Sequence, residues 1–363
     1  MRNWTVIALA ILGLGLLLSR CTPDDPNELY DPTPYIFDRP EIDGPNRFFP
    51  EMVVPPENPL TEAKVDLGRM LFYDPILSVD SGMNCAACHA PDASFTDPRR
   101  LSINAIGGQT RRNSMVLMNL GWNRGGFFWD GRAETLEEAV DDAVVNELHP
   151  SFPTTLEGLR ASPMYQEAFA RAFRDGVIDR DNLNRAIASF LRIMVSVDSK
   201  YDEYKKFGLD VFTDAERRGF VDIFSTEVGD CFHCHGVEPF LTDNDFHNNG
   251  LQAGVSEVGQ FSDIGRGEVT GDTLDYGLFR SPTLRNLAFS APFMHDGRLE
   301  TIDDVIDFYS EGLHFSPTVD PLMKAVHQGG VQLTPQEKAD LKAFLLALTD
   351  TVFLTNPEYQ DPF

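Results

Sequence analysis

Apolar residues recur at helical spacing along several stretches of this chain. Leu183, Ile187, Phe190, Leu191 and Met194 fall on one face of a helix predicted over residues 182–195, and Leu341, Phe344, Leu345 and Leu348 do the same over 335–348. Leu136, Ala139, Val140, Ala143 and Val144 share one side of a helix over 134–145, and a matching helix is predicted over 301–309. Two more helices open at Thr61-Glu62-Ala63 and Thr213-Asp214-Ala215, where an N-cap hydroxyl precedes an acidic first turn. No period-two stretch is long enough to build a sheet. The pattern is that of an all-α protein.

These elements repeat in order. Thr61 is followed by Phe72 eleven positions on and then by Cys85, and Thr213 by Phe224 eleven positions on and then by Cys231. A strongly amphipathic helix closes each half. The chain therefore reads as two small helical domains with long loops, 60–205 and 206–363, joined within residues 199–213. Ahead of them, residues 22–59 are rich in Pro, Asp and Asn and lack helical period, which predicts an extended tether or a strap on the surface.

The chemistry enters with Cys85-Ala86-Ala87-Cys88-His89 and Cys231-Phe232-His233-Cys234-His235, two copies of Cys-X-X-Cys-His that use four of the five cysteines. Two thiols one helical turn apart can add to the two vinyl groups of one porphyrin, and the His that follows reaches the iron. Zinc would need a second Cys or His pair near each motif, and a thioredoxin-type redox pair would need a βαβ pattern; neither is in the sequence. Two covalent haem c groups are expected, one on Cys85 and Cys88 with His89 as axial ligand, the other on Cys231 and Cys234 with His235. Each domain then has the form of a class I cytochrome c, whose buried porphyrin supplies much of the apolar core.

A formal net charge of −26 argues against nucleic acid as a partner, because phosphate binding needs a basic surface, and it favours a neutral or basic protein partner. Arg2 and the apolar run 6–18 are too short to cross a bilayer comfortably and read as a secretory signal within residues 1–21. Thioether haem is ordinarily assembled outside the bacterial cytoplasm, so export to the periplasm and the haem motifs support each other. Leu18-Ser19-Arg20-Cys21 is similar to a lipoprotein signal, although Arg20 stands where a small residue is expected. Cys21 is thus a candidate lipid anchor, with simple cleavage or an uncleaved anchor as alternatives.

Four segments carry a resemblance. Arg112-Asn113, Phe128-Trp129-Asp130-Gly131-Arg132-Ala133, Ser281-Pro282-Thr283-Leu284-Arg285-Asn286 and Ala291-Pro292-Phe293-Met294-His295-Asp296-Gly297 resemble the signature segments of the bacterial dihaem cytochrome c peroxidases and the related enzyme MauG. The resemblance covers roughly residues 59–350. It implies that the first haem reduces hydrogen peroxide, that the second receives electrons, and that Trp129 lies between them as an electron relay. The bland alternative for Trp129 is packing.

Many of these peroxidases carry a histidine before the Arg-Asn pair that blocks the first haem until the enzyme is reduced. Residues 102–110 contain none, so the first haem is expected to be open at rest, as in MauG. On the second haem the peroxidases use a methionine fourteen residues after the His of the His-Asp-Gly segment. That count from His295 falls on Tyr309, again as in MauG, with Met294 and Met323 as alternatives. A phenolate favours oxidised iron, whereas a thioether raises the reduction potential.

For proton movement the family uses a glutamate preceded by a glutamine. Here the glutamine position holds Ala139, and the glutamate falls on His149 without gaps or on Glu147 if two residues are missing. The family also binds calcium between its domains through an Asn side chain and two main-chain carbonyls, to which Asn113, Ser290 and Pro292 correspond. Thr242-Asp243-Asn244-Asp245 reads instead as a turn. The oxidising power would end on a small cytochrome or copper protein, or on an aromatic side chain of a protein substrate. The rival reading is a non-enzymatic dihaem electron carrier.

Overall fold

A computed structural model describes residues 29–42, 44, 47–79, 81–148 and 152–363 of the chain. The expected signal at 1–21 and the lipid-anchor candidate Cys21 lie outside the described residues, and so does His149. No helix among the described residues is long and apolar enough to cross a membrane.

The first half is built from α1 (Glu62–Tyr73), α2 (Leu136–Ala143), α3 (Phe152–Ala161), α4 (Pro163–Ala172) and α5 (Arg180–Ile193). Helix α1 crosses α5 so closely that a Cβ on Gly68 would collide with the Ala186 carbonyl, which is why a glycine stands there. Leu67, Leu71, Phe72, Phe95, Leu183, Ile187 and Phe190 form the core at this crossing. The second half repeats the arrangement with α6 (Lys200–Phe207), α7 (Asp214–Arg218), α8 (Phe232–His235), α9 (Gly267–Thr270), α10 (Ile302–Glu311) and α11 (Pro335–Leu346). Its matching crossing places Gly219 against the Asp340 carbonyl of α11, with Phe224, Leu341, Phe344 and Leu345 in the core.

Capping boxes start α2 at Thr135 with Glu138, α7 at Thr213 with Glu216, α10 at Thr301 with Asp304, and α11 at Thr334 with Glu337. Thr61 holds the N-cap position of α1 but makes no side-chain capping bond. Five residues of π-helix, Val144–Leu148, continue α2. The only sheet among the described residues is a two-residue antiparallel pair, Phe246 opposite Arg280 and His247 opposite Phe279. The helix-rich, nearly sheet-free architecture agrees with the all-α expectation.

Three features show how the two halves are tied together. Tyr201 of α6 packs in the second core, so this helix belongs with the C-terminal half. A final helix, α12 (Thr351–Thr355), and the tail return to the first half, where Phe353 and Tyr359 are buried in its core. The described part of the expected tether is a strap with apolar anchors: Ile42 and Phe49 are buried with Trp122, Val195, Val197 and Phe240, residues of both halves. Trp122 Nε1 donates to Pro50 O at 2.8 Å, which pins the strap over the join.

The hinge beneath the strap is fixed by two buried carboxylates. Asp350 accepts hydrogen bonds from Ser196 Oγ, Val197 N and Asp198 N at 2.8–3.0 Å. Asp202 receives both guanidinium ends of the buried Arg285 at 2.6 and 2.8 Å, which holds its carboxyl below the usual range against the opposing effect of burial.

Candidate functional site

Both Cys-X-X-Cys-His motifs open into one continuous, mostly apolar cavity of about 660 Å³ between the two halves. Each motif is held by the same bonds. His89 Nδ1 lies 2.9 Å from Phe95 O, and His235 Nδ1 lies 3.2 Å from Leu241 O, six residues downstream in both cases. Ser114 Oγ donates to Cys88 O at 2.9 Å, and Ser281 Oγ donates to Cys234 O at 3.2 Å. Thr96 and Thr242 then donate to the Ser114 and Ser281 carbonyls.

A histidine whose Nδ1 is occupied by a carbonyl presents Nε2 as its free ligand atom, and burial lowers both histidine pKa values, so the rings are neutral. Burial also pushes the Cys85 and Cys231 thiols up to about 12. Paired thiols, an oriented imidazole and apolar walls fit a covalently attached haem at each motif.

Residues of all four segments that carry the resemblance line the same cavity. Trp129 is buried, and its Nε1 donates to Asn113 O at 2.8 Å. Its ring meets His295 edge-on with centroids 6.5 Å apart, and His295 stacks on Phe279 at 3.5 Å. Burial lowers the His295 pKa to about 4, so this imidazole is neutral. Arg112 locks the far side, bonding to Asp130 at 2.5 Å and to both oxygens of Asp263 at 2.8 Å.

The duplication also relates the cavity-facing positions of α2 and α10. Counting eight residues from the capping threonines, Thr135 leads to Ala143 and Thr301 to Tyr309, and both line the cavity. The first site thus has a methyl group where the second has a phenol. Asn249 Nδ2 donates to Tyr309 Oη at 3.1 Å and also approaches Met294 Sδ at 3.5 Å. Burial raises the phenol pKa to about 12, while the Asn249 bond opposes that rise by favouring the phenolate. Met323 lines the cavity as well.

Glu147 lies on the π-helical turn after Ala143 and faces the cavity of the first site. Burial pushes its carboxyl up to about 7. Asn113, Ser290 and Pro292 also line the cavity, and Asn113 Nδ2 turns to the Arg100 and Arg99 carbonyls at 3.2 and 3.4 Å, which directs its amide oxygen the other way.

Residues 242–245 form the expected turn, with Asn244 N bonded to Thr242 Oγ1 and Asp245 N to Asp243 Oδ1. Sequence reading missed what else this turn does. Asp243 and Asp320 grip His247 at 2.8 and 2.6 Å, raising its pKa to about 12 against burial, beside Cys234. Pairing the two halves on their Cys motifs sets His247 against Leu101, which marks this histidine as particular to the second half.

Comparison with known proteins matches this geometry. A profile of the family described as di-haem cytochrome c peroxidase matches residues 62–208. The methylamine utilization protein MauG of Methylophilus methylotrophus is 32% identical over 299 residues, covering 81% of this chain and 84% of its own. The cytochrome-c peroxidase IdrP1 of Pseudomonas sp. (strain SCT) is 32% identical over 330 residues, 83% of this chain and 84% of its own. Among solved structures, a MauG-like protein associated with microbial copper homeostasis is 33% identical with a TM-score of 0.79, over 90% of this chain and 99% of that one. Paired motifs on a duplicated scaffold and relatives aligned over most of both lengths lead to one conclusion: the chain belongs to the dihaem cytochrome c peroxidase and MauG family and is a peroxide-dependent oxidoreductase.

Proposed function

We propose that this enzyme reduces hydrogen peroxide at the haem of Cys85, Cys88 and His89, and that Trp129 passes oxidising equivalents to the haem of Cys231, Cys234 and His235. When bound, the two haems supply the irons at which the two electrons of peroxide reduction are drawn and stored. The observation that carries the reading is the contrast of Ala143 with Tyr309 at matched positions of the cavity lining: the first site would keep room for peroxide beside its iron, and the second would offer its iron an oxygen ligand.

Glu147 moves the proton. With a pKa of about 7 it takes a proton from the near oxygen of peroxide and returns it to the far one, so that the leaving group departs as water. Trp129 donates Nε1–H to a carbonyl, which cannot accept the proton, so the indole keeps it during transient oxidation. Tyr309 would offer its phenol oxygen to the second iron, and Asn249 Nδ2 holds that oxygen by a hydrogen bond of 3.1 Å. Asn113 Oδ1 and the Ser290 and Pro292 carbonyls are oxygen donors of the kind calcium takes, with waters completing the shell.

The oxidising equivalents leave through a small redox protein or an aromatic side chain of a partner protein, and the enzyme works after export, with Cys21 as its candidate lipid anchor. Electron paramagnetic resonance of the ferric protein tests the site: one high-spin and one low-spin haem are expected. Two low-spin haems would favour the electron carrier.

A further inference from the structure

The duplication extends across the seam between the halves. Asn113 N donates to His295 O and Arg280 N donates to Trp129 O, both at 2.8 Å, so each half offers the same backbone to the other. The flanking loops match too: Phe127 pairs with Ala133 and Phe293 with Leu299, and Phe128 and Met294 both adopt positive φ, 67° and 74°. In this register Arg280 stands where the first half has Asn113. Arg124 and Gly126 stand where the second half has Ser290 and Pro292.

The two corners are filled differently. The Arg280 residue is 4% exposed, and its guanidinium donates to the carbonyls of Arg124, at 3.1 Å, and Gly126, and to the side-chain oxygens of Asn123 and Asn244. A set of neutral oxygens has thus gathered around a fixed positive charge. At the matching corner the side chain is a neutral amide, and Ser290 and Pro292 stand where Arg124 and Gly126 give their carbonyls to the guanidinium, so a cation there would come from elsewhere.

We propose that the seam carries two cation positions related by the duplication, one filled permanently by the Arg280 guanidinium and the other by a divalent cation held by Asn113, Ser290 and Pro292. The second position rests on the calcium reading above; the first rests on Arg280 alone. The guanidinium cannot dissociate or be chelated, so the loop 123–126 stays tied to the C-terminal half whatever the calcium supply. The opposite corner responds to calcium. One half of the seam is therefore constitutive and the other metal-dependent.

The test measures calcium content and thermal unfolding of the dihaem protein in calcium and in EDTA. Arg280→Asn should recreate the Asn113 corner: it should bind one more calcium per chain than the parent, lose several degrees of thermal midpoint in EDTA beyond the parent's loss, and recover them with calcium. Arg280→Lys should gain no calcium. The proposal is overturned if Arg280→Asn binds no extra calcium and calcium does not move its midpoint. Should that variant yield no soluble protein, Asn113→Arg decides: its own guanidinium should replace one bound calcium and abolish the EDTA effect, and retained calcium would overturn the proposal. A parent chain with no calcium sinks the Asn113 reading, whereas Arg280→Asn rising from none to one would still uphold the Arg280 position.

Discussion

Glu147→Gln keeps the shape of the proposed proton carrier and removes its titration. Burial drives this carboxyl from 4.5 to about 7, Arg132 opposing and Asp142 assisting. With that midpoint about a tenth is ionised at pH 6 and about nine tenths at pH 8, so the second-order rate of the ferric protein with peroxide should rise nearly tenfold across the interval. The variant should be slower by roughly 10²–10³ at pH 8, and its profile should be flat around neutrality.

Stability should move the opposite way. A carboxyl whose folded pKa is raised favours the fold below its unfolded pKa of about 4.5 and becomes a full penalty only above about pH 7. The shift corresponds to at most ~3 kcal/mol, and solvent contact at a half-buried side chain reduces this to about 1–2 kcal/mol. Glu147→Gln should therefore raise the thermal midpoint at pH 8, with the gain gone near pH 4. Stopped-flow mixing with peroxide and thermal scans at matched pH supply both readouts. A variant within threefold of the parent at pH 8, or one that keeps the inflection near neutrality, would refute the assignment.

Other expectations follow from the same site. Tyr309→Phe should change the spectrum of one haem only, and the ferric parent should lack the near-infrared sulfur-to-iron band of a Met-ligated haem; an unchanged variant moves the ligand to Met294 or Met323. Trp129→Phe should retain both haems in a mass spectrum and still react with peroxide at the first, but slow the appearance of oxidation at the second; equal rates would reduce Trp129 to packing. Asp202→Asn strips Arg285 of its buried anionic partner and should cost about 3–5 kcal/mol, read as a large fall in thermal midpoint, whereas a loss below about 1 kcal/mol would show that the hinge does not depend on this pair.

Local signals were the legible ones. The hydroxyl-to-acid spacing at Thr213 announces a helix start because both partners lie within one turn, and the Cys pairs announce haem for the same reason, whereas the hydroxyl of Thr61 caps nothing although its helix forms. What escaped sequence reading is carried by backbone or by distance. The seam is closed by Asn113 N on His295 O and Arg280 N on Trp129 O, bonds that any residue except proline could make. The π-helical turn that carries Glu147 has no side-chain signature of its own. The return of Phe353 and Tyr359 to the first core, and the burial of Ile42 and Phe49 in a proline-rich strap, depend on partners far away in the chain. Within the expected join of 199–213, α6 begins at its Ser199 cap and packs forward through Tyr201, a contact that the local pattern does not announce.

The central claim is an open first haem and a second haem that shares its oxidation. Mixing the fully ferric protein with one equivalent of hydrogen peroxide, with no reductant, tests it in one trace. The account predicts prompt reaction and spectral change at both haems, persisting until a donor is added. An absolute need for prior one-electron reduction, or a change confined to the first haem, would contradict it.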